Sequence, residues 1–217
     1  MLQIKSFTFN PFQENTYLLY DETGEAVIFD PGCYEKHEQQ ELDAFIAEEE
    51  LKIKYLINTH CHIDHVLGNF HVKKTYKVPL LLHSNELATL KSVPVYAPNY
   101  GFRKYDETEP DGFLEGGTSI SFGNQTLDIL FVPGHSPGHL VFYHKETNSC
   151  IAGDTLFQGS IGRTDLPGGN HHDLLKNIRE VMFKLPDTTR VYPGHGLSTS
   201  IGFEKSNNPF VGERARF

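Results

Sequence analysis

The chain has 217 residues, of which 38% are hydrophobic and 22% are charged, a balance typical of a folded globular protein and not of a disordered or collagen-like one. Its 28 acidic and 19 basic residues give a formal net charge of −9, which disfavours non-specific binding to nucleic acid or anionic membranes. No secretory signal is visible at the N-terminus, and three cysteines without C-x-x-C spacing argue against a disulfide framework. We therefore expect a cytoplasmic protein that has neither a nucleic-acid partner nor a membrane partner.

The predicted elements mix short strands with helices along the whole chain. Strands are predicted at residues 2–9, 16–20, 26–29, 53–57, 80–83, 119–122, 126–132, 139–144, 150–152 and 189–192. Helices are predicted at residues 35–51, 65–76, 85–91 and 173–183. Residues 92–110, rich in proline and tyrosine, are predicted to form a long irregular excursion that could act as a lid. The pattern indicates an α/β or α+β chain with two sheets covered by helices.

The segment Thr59-His60-Cys61-His62-Ile63-Asp64-His65 follows one predicted buried strand and is the most specific chemical signal in the chain. In extended backbone the side chains alternate, so His60 and His62 point to one side while Cys61 points into the core. Asp64 and His65 follow at a predicted helix start, where the chain turns. Imidazole and carboxylate groups suit zinc, manganese or iron, so the segment predicts a metal site.

Three further predicted strands end in the same way. Each stops at a glycine-containing loop that delivers one histidine or aspartate, namely His135, Asp154 and His195. Loops at strand ends are where sheet proteins place their functional side chains, so we expect these residues to share the chemistry of the first segment.

These motifs together resemble the metallo-β-lactamase superfamily. The matching segments are THCHIDH, PGHSPGH at 133–139, AGDTLF at 152–157 and YPGHG at 192–196, and PFQENTYLL near the N-terminus is also similar. Their order resembles the glyoxalase II branch, the hydroxyacylglutathione hydrolases, and its short single-domain relatives. The resemblance implies an α+β fold, an αββα sandwich of two mixed sheets with outer helices, in one domain spanning residues 1–217. It also implies that the C-terminal helical glutathione-binding region of the longer proteins is absent.

Carried over position by position, the resemblance implies a binuclear site. His60, His62 and His135 would hold one metal, Asp64, His65 and His195 would hold the second, and Asp154 would bridge both. The cofactors would be two divalent ions, zinc in the first place, with iron or manganese as alternatives. His139 would be structural.

The expected function is hydrolysis of a small-molecule thioester by attack of a metal-bridging hydroxide, with Asp64 orienting that nucleophile. Two alternatives stay open: a persulfide dioxygenase with a single iron, which the GRTD segment at 162–165 resembles, and a lactonase-type hydrolase. Where the dioxygenases have a cysteine after the third ligand, this chain has His139. Arg163 is predicted to bind a substrate carboxylate, with a salt bridge to Asp165 as the alternative role. The sequence does not predict an oligomeric state.

Overall fold

The computed structural model describes residues 1–213 and 215, which form two units, each with its own hydrophobic core. The first unit comprises Met1–Leu114 and Ser121–Gln125, and the second comprises Glu115–Ile120 and the residues from Thr126 onwards. The prediction of a single domain over residues 1–217 stays a prediction. Within the described residues, none of the helices has the length and apolar character needed to cross a membrane.

The first sheet has six strands and lies in the first unit. In chain order these are β1 Gln3–Phe9, β2 Glu14–Tyr20, β3 Glu25–Phe29, β4 Lys52–Ile57, β5 Leu80–Leu82 and β6 Gly112–Phe113. The helices of this unit are α1 Lys36–Glu48, α2 Ile63–Val66, α3 Asn69–Tyr76 and α4 Leu87–Tyr96. The first three strands are antiparallel, whereas β3, β4, β5 and β6 run parallel. Parallel pairing brings the carboxyl ends of β3 and β4 to one edge of the sheet, where Asp30 and the segment 58–65 follow.

The second sheet also has six strands and is mixed. Its strands are β7 Ser119–Phe122, β8 Gln125–Phe131, β9 Leu140–His144, β10 Ser149–Gly153, β13 Arg190–Pro193 and β14 Thr199–Ser200. A separate hairpin joins β11 Leu156–Phe157 to β12 Ser160–Ile161, and the helices are α5 His171–Glu180 and α6 Ile201–Asn207. Because β10 and β13 are parallel neighbours in register at Gly153 and Pro193, the loops carrying Asp154 and His195 leave the same sheet edge.

The helix predicted at 65–76 is interrupted, and Gly68 is the physical reason. The chain forms α2 and α3 with a break between them, and the Gly68 N–H donates to the Pro31 carbonyl over 2.7 Å. A Cβ at this position would lie 2.5 Å from the Cys33 Sγ, closer than atoms can approach. The helix therefore breaks where its backbone contacts the loop after β3.

The prediction of an irregular excursion at 92–110 is wrong for the first part of this range. Residues 92–96 belong to α4, which contains Pro94, and a short 3-10 helix follows at Ala97–Tyr100. Leu90, Val93 and Ala97 are buried in the first core at helical spacing, and this packing outweighs the helix-breaking tendency of proline. Residues 101–111 do lack regular secondary structure, as expected.

Candidate metal centre

Three histidines of the first unit lie together at the carboxyl end of β4. His60 and His65 are fully buried and His62 nearly so, which is unusual for side chains that can carry charge. The ring centroid of His60 lies 4.8 Å from that of His62 and 4.1 Å from that of His65. Asp64 is at the edge of this group, with its Oδ2 atom 3.7 Å from the Nε2 atom of His65. The four ligands predicted from this segment are therefore neighbours in the structure.

Asp30, which follows β3, holds this segment in place. Its carboxylate accepts hydrogen bonds from the Thr59 N–H at 2.7 Å, the Thr59 hydroxyl at 2.6 Å and the His65 Nδ1 at 3.2 Å. Because the Thr59 hydroxyl donates to Asp30, it accepts from the His60 Nδ1, 3.1 Å away. Both imidazoles therefore carry their proton on Nδ1, as inferred from these bonds, and present Nε2 for metal binding.

Asp30 was not predicted as a site residue. In sequence, Asp30-Pro31-Gly32 indicates only a turn that ends a strand. The parallel pairing of β3 with β4 places Asp30 beside the histidine segment. Its carboxylate, His60 and His65 offer ligand atoms that lie within 4.8 Å of one another. Since its oxygens are used by Thr59 and His65, its role in this structure is to orient the histidines.

A second buried carboxylate, Glu14, lies behind His65. Its Oε1 atom is 3.9 Å from the His65 Nδ1, and its Oε2 atom accepts a hydrogen bond from the Thr16 hydroxyl. Burial raises the pKa of Glu14 well above its usual value, against the opposing effect of His65. On the other side, the amide of Asn58 donates to the His65 carbonyl and pairs with Asn69. The backbone and the ring of His65 are thus both fixed.

In the second unit, Asp154 lies between two histidines. Its Oδ2 atom is 3.6 Å from the Nε2 atom of His135 and 3.5 Å from the Nε2 atom of His195. The His135 Nδ1 donates to the Arg163 carbonyl over 2.7 Å, so that its Nε2 is the available ligand atom. The three ligands predicted in this unit therefore meet around a single carboxylate oxygen.

Gly162 allows the close packing behind Asp154. A Cβ at this position would lie 1.9 Å from the Asp154 carbonyl oxygen and 2.9 Å from the His135 Nδ1. Any side chain here would displace the backbone of one predicted ligand and the ring of another. The glycine is therefore required by the arrangement of the site and not by turn geometry alone.

Arg163, the predicted substrate residue, forms a two-point ion pair with Asp165. Its Nε and Nη2 atoms lie 2.7 and 2.8 Å from the two carboxylate oxygens, and both side chains are more than half exposed. The hydrogen bond from Arg163 lowers the pKa of Asp165 to about 2. This is the alternative role considered for Arg163 above, and its binding of substrate stays a prediction.

Cys61 lies among the apolar side chains of the first core, as predicted from the alternation of the HCH segment. Burial, with the nearby Glu86 and Asp30 carboxylates, raises the pKa of its thiol well above the usual value. Its backbone N–H donates to Glu86 over 2.8 Å. The thiol is therefore a packing group of the first core, as expected.

The donor sets of the two units suit divalent transition metals. Each offers imidazole Nε2 atoms beside a carboxylate, and the other ring nitrogens of His60, His65 and His135 are occupied by hydrogen bonds. Such supporting bonds fix the tautomer and orientation of a metal-binding histidine. The same set accepts zinc, iron or manganese, so it does not select one metal.

The family model of the metallo-β-lactamase superfamily matches residues 9–195, and the chain belongs to this superfamily. Among curated relatives, the probable metallo-hydrolase YqgX of Bacillus subtilis is 37% identical over 203 residues, which cover 93% of each chain. Hydroxyacylglutathione hydrolase GloC of Haemophilus influenzae is 34% identical over 216 residues, covering 99% of this chain and 100% of GloC.

Solved structures of this superfamily have the same fold. The BLEG-1 B3 metallo-β-lactamase has a TM-score of 0.88 at 36% identity, covering 96% of this chain and 99% of its own. TTHA1623 in a di-iron-bound form has a TM-score of 0.85 at 35% identity, covering 95% of this chain and 99% of its own. ETHE1 from Myxococcus xanthus has a TM-score of 0.79 at 25% identity, covering 96% of this chain and 84% of its own. The predicted family and the predicted fold class are confirmed.

Proposed function

We propose that this protein is a binuclear metal-dependent hydrolase whose substrates are small-molecule thioesters. The observation that carries the proposal is the position of Asp154. Its Oδ2 atom is nearly equidistant from the Nε2 atoms of His135 and His195. A carboxylate shared by two imidazoles, each assigned to a different metal, is the arrangement expected of a bridging ligand. The likeness to GloC supports the thioester class.

The proposed ligands are the seven predicted from the sequence. His60, His62 and His135 would hold one ion, Asp64, His65 and His195 would hold the other, and Asp154 would serve both. Two divalent ions, when bound, supply a water of lowered pKa and a Lewis acid for the substrate carbonyl. Zinc is the first candidate, although the similarity to a di-iron structure keeps iron in the proposal.

The chain's own groups then have defined tasks. The Asp64 carboxylate orients the attacking water by accepting a hydrogen bond from it. Asp30 and Thr59 keep the imidazoles of His60 and His65 in the Nδ1-protonated tautomer. A thiolate leaving group needs no proton, so the proposal requires no general acid from the chain. The partner in this proposal is a small molecule in the cytoplasm, and neither nucleic acid nor a membrane takes part.

The alternative is a persulfide dioxygenase with one iron. It is favoured by the GRTD segment at 162–165 and by the similarity to ETHE1. Against it stands His139, which fills the place of the dioxygenase cysteine and accepts a hydrogen bond from the Asp154 backbone. A lactonase-type hydrolase would use the same ligands and differ only in its substrate.

The deciding experiment combines metal analysis with turnover on one preparation. Wild-type protein is expected to hold about two metal ions and to hydrolyse acyl thioesters but not oxidise glutathione persulfide. Asp154→Asn is expected to lower the content of both ions, because it removes the shared negative charge. A single iron that persists in His195→Ala, together with persulfide oxidation, would establish the dioxygenase instead.

A further inference from the structure

Four aromatic residues of the first unit pack into one cluster, here named the aromatic wall: Phe12, Tyr96, Tyr100 and Phe102. The ring of Phe12 lies 5.8 Å from that of Tyr100 and 5.9 Å from that of Phe102. The Tyr96 and Tyr100 rings are 6.0 Å apart in an edge-to-face arrangement. Their spacings are those of favourable aromatic pairs.

The wall has a buried side and an open side. Phe102 is only 3% exposed and forms part of the first core. Phe12 and Tyr100, which contact each other, remain 40% and 52% exposed. These two rings therefore offer adjacent aromatic surface to a ligand.

The wall is attached to the segment that carries the proposed ligand Asp64. The side-chain amide of Asn10, two residues before Phe12, donates to the Asp64 carbonyl over 3.0 Å. At the other end, the Tyr96 hydroxyl lies beside the backbone of Ile63. Burial and the nearby Asp64 carboxylate raise the pKa of that hydroxyl. The aromatic wall therefore adjoins the first turn of α2, which lies within the HxHxDH motif.

The loop that presents Phe12 is held by hydrogen bonds and has two non-glycine residues with positive φ. Asn10 and Gln13 both have left-handed backbone conformations, with φ of 52° and 56°. The Asn10 N–H donates to the buried Glu38 carboxylate, and its side-chain oxygen accepts from the Phe12 N–H. Asparagine tolerates this conformation, whereas for Gln13 it is uncommon and requires support from the surrounding structure.

We propose that the aromatic wall binds the acyl group of the substrate and gives the protein a preference for apolar acyl groups, aryl or medium-chain alkyl. The inference rests on the proposed thioesterase function and defines its substrate class. The members of the wall are uncharged, so they favour a hydrophobic acyl group over a charged one. Rings fixed before binding lose little conformational freedom when the ligand arrives, which strengthens the contact.

The test uses a series of thioesters that share one thiol, N-acetylcysteamine, and differ in an acetyl, hexanoyl or phenylacetyl group. Metal-loaded wild-type protein is expected to show kcat/KM values about tenfold higher for the two larger groups than for acetyl. Phe12→Ala and Tyr100→Ala are expected to reduce this ratio about fivefold. Phe113→Ala, which removes a ring on β6 that is 51% exposed, close to the 52% of Tyr100, is the matched control and keeps the wild-type ratio.

A second readout does not depend on turnover. Binding of S-(2-phenylethyl)-N-acetylcysteamine, a thioether that is not hydrolysed, is followed by saturation-transfer NMR and is expected to weaken about fivefold in Phe12→Ala. Equal kcat/KM for all three thioesters, an equal loss in Phe113→Ala, or no thioether binding to wild-type protein would overturn the inference. Failure to hydrolyse any thioester would instead overturn the proposed function, and thioether binding would then decide the role of the wall.

Discussion

The Nε2 atom of His139 accepts a hydrogen bond of 3.0 Å from the backbone N–H of Asp154. Both groups are buried, so this imidazole fixes the backbone from which the Asp154 carboxylate projects. His139 is thus a positioning residue four places after the proposed ligand His135. This contact agrees with the structural role predicted for His139.

Replacing His139 with alanine is expected to weaken metal binding by about tenfold or more, because supporting contacts contribute on that scale. The buried N–H of Asp154 would also lose its acceptor, at a cost of about 1–3 kcal/mol in the free energy of unfolding. Metal titration and urea denaturation measure the two effects. His144→Ala, which removes another buried imidazole of the same unit, should lower stability while leaving metal affinity intact.

Gly162→Ala is expected to abolish metal binding although every ligand remains in the chain. The added methyl group would occupy space 1.9 Å from the Asp154 carbonyl, so the backbone or the His135 ring must move. Elemental analysis of the purified variant checks this, with Gly112→Ala as the control, since its Cβ would meet only the end of the flexible Leu81 side chain at 3.1 Å. Wild-type metal content in Gly162→Ala would show that the site tolerates a displaced ligand.

Asp30→Asn is expected to reduce metal affinity by about tenfold to a hundredfold, since the amide cannot accept all three hydrogen bonds from Thr59 and His65. Competition with a chromogenic chelator measures this change. The control is Asp21→Asn, because Asp21 is also buried and accepts hydrogen bonds from Thr23 and Gln125, far along the chain from the ligands. The control should lose stability and keep its metal. An equal loss of metal in both variants would contradict an orienting role for Asp30.

Arg163→Ala is expected to raise the pKa of Asp165 from about 2 towards its usual value of about 3.9. A lowered pKa means that the ionised carboxylate favours the folded state above about pH 4, and that this contribution is lost as the pH falls towards 2. Carbonyl NMR from pH 6 to pH 3 measures the change, since Asp165 should stay ionised at pH 3 only in wild-type protein. Asp111, whose lowered pKa reflects hydrogen bonds from Lys73 and Leu80, should titrate identically in both.

The same variant separates the two roles considered for Arg163. If the guanidinium also binds a substrate carboxylate, KM should rise far more for an anionic thioester such as lactoylglutathione than for a neutral one. The loss of a charged hydrogen bond corresponds to roughly 1.5–3 kcal/mol. An equal change for both substrates would restrict Arg163 to its ion pair with Asp165.

The sequence identified the ligand-bearing segments because each motif consists of residues that are close together in the chain. In the HxHxDH segment the spacing alone places three imidazoles and a carboxylate together. In the structure the ring of His60 contacts the rings of His62 and His65. Asp30 was missed because its partner Thr59 is 29 residues away and meets it only through the pairing of β3 with β4. A periodic pattern in a single sequence does not show which strands pair or which of their residues face each other.

The elements that were missed are short or depend on distant packing. The β11–β12 hairpin and β14 have two-residue strands, too short for an alternating pattern to be recognised. Helix α6 is fixed by Glu204, a fully buried carboxylate that accepts hydrogen bonds from the Gly159 N–H and the Thr199 hydroxyl. A glutamate in a polar stretch ordinarily indicates a solvent-facing position, so this helix gave no amphipathic signal.

The hydrogen bonds from His65 to Asp30 and from His60 to Thr59 have a consequence for how the protein acquires its ions. Both rings are oriented by the folded chain itself, so their rotational freedom has already been lost during folding. An incoming ion meets ready-made donors and does not have to organise them, unlike the ion of a zinc finger, which folds its own domain. Stripping the protein with a chelator should accordingly leave the first sheet and its core folded, and reloading should proceed without a refolding phase.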